Sequence, residues 1–305
     1  MSKLRINFLG KELKNPVITS SGCFGYGEEY NNYFNVDKLG AVNLKGITLN
    51  KREGNKGIRI AETPSGMINS IGLENPGIEY FKDNIIKNIK YKAPIILNIN
   101  GESEEEYIKI SEIANEIERV DFIELNISCP NVKNGGMAFG INCKTAENLT
   151  KSVKKILTKK PLIVKLSPNV TDITEIAKAV ENAGADAVSL VNTFLAMKID
   201  TKTKKPLLGN IFGGLSGGCI KPIAVRMVYQ IFNSVKIPII GMGGIENYND
   251  GLEFIMAGAS LISIGSGIFA NPILPIEVIE GIENYLKENN IDNIKDLIGI
   301  AHKMR

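Results

Sequence analysis

Apolar positions along the chain fall into two alternating rhythms. Short runs rich in Val, Ile and Leu occupy 16–20, 41–45, 94–99, 122–127, 162–166, 187–191, 238–241 and 261–264. Between most of them lie stretches with apolar residues at helical spacing, at 104–117, 146–157, 173–183, 222–232 and 248–256. Apolar runs without polar alternation suit strands covered on both faces, and a helix between successive strands is the crossover that makes them parallel. Eight such strands close on themselves better than they form an open sheet. The pattern therefore predicts an α/β protein, a (β/α)8 TIM barrel. Ahead of the first run, 4–8 and 11–13 flank Leu9-Gly10 and read as a small N-terminal β-hairpin that would plug the barrel bottom.

Three connections, 49–75, 128–144 and 192–218, exceed a tight strand-to-helix loop. Long loops on the top face of a barrel usually carry function. No internal repeat beyond the strand–helix unit and no interdomain linker is visible. With 305 residues the expectation is a single domain over 1–305, since such barrels run to about 250 residues.

Charge narrows the partners. The net charge of +3 comes from 36 basic and 33 acidic residues spread along the chain, without a like-charged block, so no nucleic-acid partner is expected. No apolar run approaches the roughly 18 residues that span a bilayer, and 1–20 lack a signal pattern, so a soluble cytoplasmic protein is expected. Cys23, Cys129, Cys143 and Cys219 form no C-x-x-C pair, which argues against a metal site or disulfide framework. The single histidine, His302, lies in the polar C-terminal stretch; it reads as structural, and chemistry built on a histidine base has almost no candidate.

Three constellations remain. Strand seven runs into Gly241-Met242-Gly243-Gly244 and strand eight into Gly265-Ser266-Gly267, where barrels commonly hold a phosphate on glycine N–H groups. The alternative is that these glycines only close tight turns. A third cluster, Leu215-Ser216-Gly217-Gly218, precedes another helix and would pack at the phosphate end.

Polar residues gather at strand C-termini: Lys45, Asn98, Asn100, Asn126, Lys165 and Asn192-Thr193. Lysines beside buried strands cost desolvation unless they meet negative charge, which points to anionic groups in the cavity; either lysine alone could be a surface residue. Asn69, Asn126, Asn131 and Asn192 suit a planar ring with alternating N–H and C=O edges, such as a pyrimidine, although asparagine is also a common turn and cap residue. Cys129 stands before Pro130 in a long glycine-containing loop after strand four; a thiol, with a reference pKa of about 8.5, is a plausible proton acceptor near neutral pH if lysines are close. The alternative is an inert buried thiol.

These residues carry a resemblance to class 1 dihydroorotate dehydrogenases, more closely to class 1B catalytic subunits, over nearly the whole chain. It rests on Ser20-Ser21-Gly22, Asn43-Leu44-Lys45-Gly46, Asn69-Ser70-Ile71-Gly72-Leu73-Glu74-Asn75, Asn126-Ile127-Ser128-Cys129-Pro130-Asn131, Val164-Lys165-Leu166, Val191-Asn192-Thr193, Leu215-Ser216-Gly217-Gly218, Gly243-Gly244 and Gly265-Ser266.

The resemblance implies FMN across the barrel mouth, contacted by Ser21, Lys45, Gly46, Asn98, Asn126, Lys165, Val191, Gly217, Gly243, Gly244, Gly265 and Ser266. It implies dihydroorotate, the reduced pyrimidine, held by Lys45, Asn69, Ser70, Ile71, Gly72, Leu73, Asn126, Asn131, Asn192 and Thr193. Cys129 would take the C5 proton while the C6 hydride passes to the flavin, and Lys165 would offset charge on the reduced ring. Class 1B chains resemble the homodimeric core of a heterotetramer whose second subunit bears FAD and a 2Fe–2S cluster and passes electrons to NAD; this chain has no cysteine cluster for that iron.

The loop Asn131-Val132-Lys133-Asn134-Gly135-Gly136 resembles class 1B, whereas class 1A proteins typically continue Asn-Val-Pro-Gly-Lys, and class 2 proteins carry serine for Cys129. Ser266 and Ser20 depart from the threonine and alanine common in the family, yet each keeps a small or hydroxyl side chain. The competing readings are a fumarate-linked class 1A-like enzyme, another pyrimidine-reducing flavin barrel, and a non-redox phosphate-binding isomerase or lyase barrel.

Overall fold

The computed structural model describes residues 3–128 and 139–303. Its centre is an eight-stranded, wholly parallel sheet. The strands are β1 (Val17–Thr19), β2 (Val42–Asn43), β3 (Ile95–Ile99), β4 (Phe122–Asn126), β5 (Leu162–Lys165), β6 (Ala187–Leu190), β7 (Ile239–Met242) and β8 (Leu261–Ile264). From β2 to β8 each pairs with the next, β8 pairs with β1, and an isolated parallel bridge between Ile18 and Ala41 joins β1 to the approach to β2. The sheet thus closes into the expected barrel.

Helices α1 (Glu104–Asn115), α2 (Cys143–Ile156), α3 (Ile173–Asn182), α4 (Lys221–Phe232) and α5 (Tyr248–Ala257) fall between successive strands from β3 onward, and α6 (Leu274–Glu288) follows β8. Their starts are written locally. Ser103, Asn142, Asp172 and Asn247 each accept a hydrogen bond from a first-turn N–H, and Asn247 forms a reciprocal capping box with Asp250, which satisfies donors that a helix start otherwise leaves open. Pro222 sits in the first turn of α4, where its missing N–H costs nothing.

Alternation along the strands divides their side chains between two cores. Ile95, Leu97, Ile123, Leu125, Val164 and Val188 face outward and pack with helix residues such as Tyr107, Ile110, Val153 and Val180. The inward-facing set begins, at the strand starts, with Ile18, Ala41, Ile96, Phe122, Ile163, Ala187, Ile240 and Leu261. Against these pack Ile6, Phe8 and Leu13 of the antiparallel hairpin Ile6–Phe8 and Lys11–Leu13. Phe8 meets Phe122 edge-on at 5.8 Å. The hairpin closes the N-terminal end of the barrel, as expected.

Two of the long connections hold structure that the apolar pattern does not announce. Ile60–Thr63 and Gly66–Asn69 from the β2–β3 connection join Phe194–Met197 and Phe212–Ser216 from the β6–β7 connection in a four-stranded antiparallel sheet. Register places Gly214 opposite both Leu195 and Asn69. Lys45 lies two residues beyond β2 and does not itself end the strand. Among the described residues no helix is long and apolar enough to cross a membrane.

Candidate active site

One step up each strand from the apolar plug, the barrel interior changes character. Positions two residues beyond the bottom layer are Ser20, Asn43, Asn98, Glu124, Lys165, Ser189 and Ser263, all at most 6 % exposed. Met242 on β7 is the apolar member of this ring, 4.0 Å from the Ser20 hydroxyl through its sulfur. Glu124 is wholly buried. Its Oε2 accepts from Asn43 Nδ2 at 2.8 Å and Asn98 Nδ2 at 2.6 Å, and its Oε1 accepts from Ser189 Oγ at 2.7 Å. Lys165 Nζ lies 3.9 Å from Oε2 and donates to Ser21 Oγ at 3.2 Å. A buried carboxylate with both oxygens engaged and a cation beside it meets the conditions under which buried charge is tolerated.

This corrects part of the sequence argument. The charge that Lys165 requires is supplied by the protein itself, so its burial alone does not demand an anionic ligand. Glu124 was missed because it sits in mid-strand between Ile123 and Leu125. An acidic residue inside an otherwise apolar strand was the available signal.

Above this layer the asparagines converge. Asn192 Nδ2 donates to Asn126 Oδ1 at 3.3 Å, Asn192 Oδ1 accepts from the Thr193 N–H at 2.9 Å, and Asn69 Nδ2 donates to the Gly214 carbonyl at 3.3 Å. Gly214 has no room for a Cβ because Thr193 occupies that space, so Asn69, Asn126, Asn192 and Thr193 form one continuous group. The Asn126 carbonyl accepts from the buried Tyr107 hydroxyl at 2.6 Å, which ties the end of β4 to α1. Tyr107 is a supporting residue that motif reasoning had not singled out.

Ser70 to Leu73 extend from the same sheet. The Ile71 carbonyl accepts from Asn55 N–H at 2.9 Å and the Ser70 carbonyl from Asn55 Nδ2 at 3.0 Å. Gly72 holds φ 80° against Asn55, and Leu73 adopts φ 55°, a left-handed conformation uncommon outside glycine. Arg59 pairs with Glu74 and holds its carboxyl below the ordinary range, with the Lys45 ammonium adding to the effect. Lys45 is half-buried, and the space a Cβ at Gly46 would need is filled by Asn98 and Asn100 side chains.

The three glycine clusters also come together in part. Gly217, Gly243 and Gly244 all have positive φ, at 109°, 127° and 76°, and a Cβ on Gly244 would lie 2.6 Å from the Gly217 carbonyl. A Cβ on Gly243 would press on Ala224 and Ile220 and touch Val191, and one on Gly265 would reach Ser20 and Cys23 at ordinary contact distance. Ser266 precedes the short helical turn Gly267–Ala270 without a side-chain capping bond. Backbone N–H groups of such turns form concavities that accept phosphate oxygens.

Of the predicted residues, Cys129 and Asn131 lie outside the described residues. Cys23 approaches Lys165; burial pushes its thiol up to about 11, with the Lys165 ammonium pulling the other way, so little of it is thiolate near neutral pH. His302 stacks on Tyr229 at 3.7 Å, and its ring nitrogens meet the Ala257 carbonyl and Asn233, a packing role remote from the glycine loops.

Comparison with known proteins points to one family. Residues 3–286 match the family described as dihydroorotate dehydrogenase. The chain is 82% identical over 302 residues to the dihydroorotate dehydrogenase B (NAD(+)) catalytic subunit of Brachyspira hyodysenteriae, covering 99% of this chain and 100% of that protein. It is 51% identical over 300 residues to the protein of the same name from Bacteroides thetaiotaomicron, covering 98% and 99% of the two chains. It is 48% identical over 303 residues to that of Malacoplasma penetrans, covering 99% of each.

Proposed function

The chain belongs to the dihydroorotate dehydrogenase family, and from that premise we propose that it is the catalytic subunit of an NAD-linked dihydroorotate dehydrogenase, a cytoplasmic single-domain enzyme of de novo pyrimidine synthesis that oxidises (S)-dihydroorotate to orotate. The observation that carries this reading is the convergence, at one barrel mouth, of the Lys165–Ser21 contact, the Asn126–Asn192 contact and the abutting Gly217 and Gly244 turns.

The residues present fit FMN. Two buried side-chain oxygens near the mouth, Asn43 Oδ1 and Asn100 Oδ1, have no donor among the described residues, Lys165 and Ser21 offer donors, and the glycine turns exclude side chains where a phosphate would need close approach. Gly217, Gly243, Gly244, Gly265 and Ser266 would hold the phosphate. Ser21, Lys45, Gly46, Asn98, Asn126, Lys165 and Val191 would surround the ring. Bound FMN supplies the two-electron acceptor for the hydride leaving C6 of the substrate.

The chain's own work is to bind, orient and deprotonate. Asn69, Asn126, Asn131, Asn192 and Thr193 match donors and acceptors to the pyrimidine edges, while Lys45 and the Ser70-Ile71-Gly72-Leu73 turn receive the carboxylate. Cys129, as thiolate, removes the C5 proton, and general base catalysis of this kind contributes about 10²–10⁴-fold. Lys165 would place a positive charge beside the bound ring, where it would offset negative charge. A partner subunit carrying FAD and a 2Fe–2S cluster would take the electrons on to NAD, with a homodimer of this chain as the core of the complex.

The test is chemical identification of the flavin released from the purified chain, together with orotate formation in the presence of an artificial electron acceptor. Stoichiometric FMN and stereospecific loss of (S)-dihydroorotate support the reading. A colourless chain turning over a phosphorylated substrate would move it to the non-redox barrels.

A further inference from the structure

The strands place one carboxylate where neither substrate nor flavin phosphate has use for it. Glu124 projects into the barrel from mid-β4, wholly buried, beneath the residues assigned to ligand binding. Side chains from four other strands face it: Asn43 from β2, Asn98 from β3, Lys165 from β5 and Ser189 from β6. Three are neutral donors, and only Lys165 carries charge. We infer that Glu124 is a positioning residue for the redox site: it fixes the Lys165 ammonium under the barrel mouth and balances its charge, thereby setting how strongly the bound flavin holds electrons. This rests on the FMN reading above.

A purely structural role explains the arrangement poorly. A buried ion pair is weak evidence for stability, because apolar residues of similar volume often serve as well. The bottom layer of the same barrel is built that way, from Ile96, Phe122, Ile163 and Ile240. What an apolar layer cannot do is hold a cation at a fixed point. Lys165 reaches Ser21 across the mouth at 3.2 Å, and among the described residues the only ion pair of its ammonium is with Glu124 at 3.9 Å. With the pair balanced, Lys165 offers a reduced flavin less net positive field than a lone ammonium would.

Glu124→Gln keeps the shape and removes the charge. The glutamine carbonyl can accept from Asn43 and Asn98, and its amide can donate to Ser189 once that hydroxyl rotates. With its counter-charge gone, Lys165 should favour the reduced flavin. The FMN potential of the purified chain at pH 6 should move positive by at least a tenfold shift in the reduction equilibrium, about 30 mV for a two-electron couple. In a Lys165→Met background the same substitution should move the potential little, because Glu124 acts through the lysine. An unchanged potential in the parent background, or an equal shift in both, overturns the inference.

Folding failure of Glu124→Gln leaves a second readout. Lys165→Met alone strands a buried carboxylate, whereas the double variant Glu124→Gln with Lys165→Met strands nothing, so the double should melt at the higher temperature. A double variant melting lower also overturns the inference. If the parent chain carries no FMN, the functional reading fails with it; if the parent is flavinylated and the potentials behave otherwise, only the role of Glu124 fails.

Discussion

The same eight strands build two interior layers of opposite character, one residue pair apart. At the strand starts, Ile18, Ile96, Phe122, Ile163, Ile240 and Leu261 meet the hairpin in an apolar plug. At the next inward positions, Ser20, Asn98, Glu124, Lys165, Ser189 and Ser263 form a polar ring. The lower layer excludes water and can only stabilise; the upper layer concentrates donors, acceptors and a charge pair in a low-dielectric setting where each acts strongly. Stability and chemistry are thus separated along the barrel axis, as the bottom and top faces of such barrels generally divide them.

Substitutions that affect one layer and spare the other test this division. The largest effect belongs to the plug. Phe8→Ala should cost about 3–5 kcal/mol of stability, the range for deleting a buried aromatic ring, in urea unfolding, while kcat of the folded fraction stays near that of the parent. A comparable fall in kcat would show that the layers are not independent.

Next comes Cys129→Ala. Removing the proposed base should slow flavin reduction by dihydroorotate about 100-fold or more, or about 2.7 kcal/mol of barrel-mouth chemistry, with FMN still bound and the melting temperature unmoved. Stopped-flow reduction within a few-fold of the parent would dismiss the assignment.

A smaller effect is expected at the asparagine group. Asn192→Ala loses its contact with Asn126 at 3.3 Å and one edge of the proposed substrate, worth about 1–1.5 kcal/mol. The loss should appear as a raised KM of roughly tenfold or less with stability nearly intact; a KM equal to the parent's would place the substrate elsewhere.

The smallest contrast lies between two thiols. Cys219 is exposed and Cys23 half-buried, and burial raises Cys23 to about 11. A raised thiol pKa leaves the unreactive protonated form dominant below it. At pH 8 iodoacetamide should therefore modify Cys219 before Cys23, and Cys23 labelling should gain as pH climbs toward 11. Equal rates at pH 8 would contradict the burial of Cys23 beside Lys165.

Much of this was legible in the sequence because parallel strands advertise themselves as unbroken apolar runs, and because barrel chemistry collects at strand C-termini. Lys165, Asn126 and the Gly243-Gly244 turn were singled out by that logic, and of the asparagines Asn69, Asn126, Asn131 and Asn192 the structure groups Asn69, Asn126 and Asn192, with Thr193 beside them, while Asn131 lies outside the described residues. What escaped was set by tertiary pairing. The four-stranded top sheet is assembled from two distant connections and owes its register to the close approach of Gly214 to Asn69 and Thr193, which no local period encodes. Lys45 was placed at a strand end because Val42-Asn43-Leu44 reads as continuous strand, yet the paired register with Ile95 and Ile96 ends at Asn43, and beyond the Leu44 N–H bond to the Ile96 carbonyl the pairing resumes only at Ile47. Glu124 escaped because alternation assigns it a face only once the barrel is known to be closed.

The most direct test of the central claim is anaerobic addition of dihydroorotate to the purified chain while the visible flavin absorbance is followed. The account predicts rapid bleaching with orotate as the product, the substrate at the polar mouth reducing bound FMN without any other subunit. A yellow protein that stays yellow at saturating dihydroorotate would contradict it.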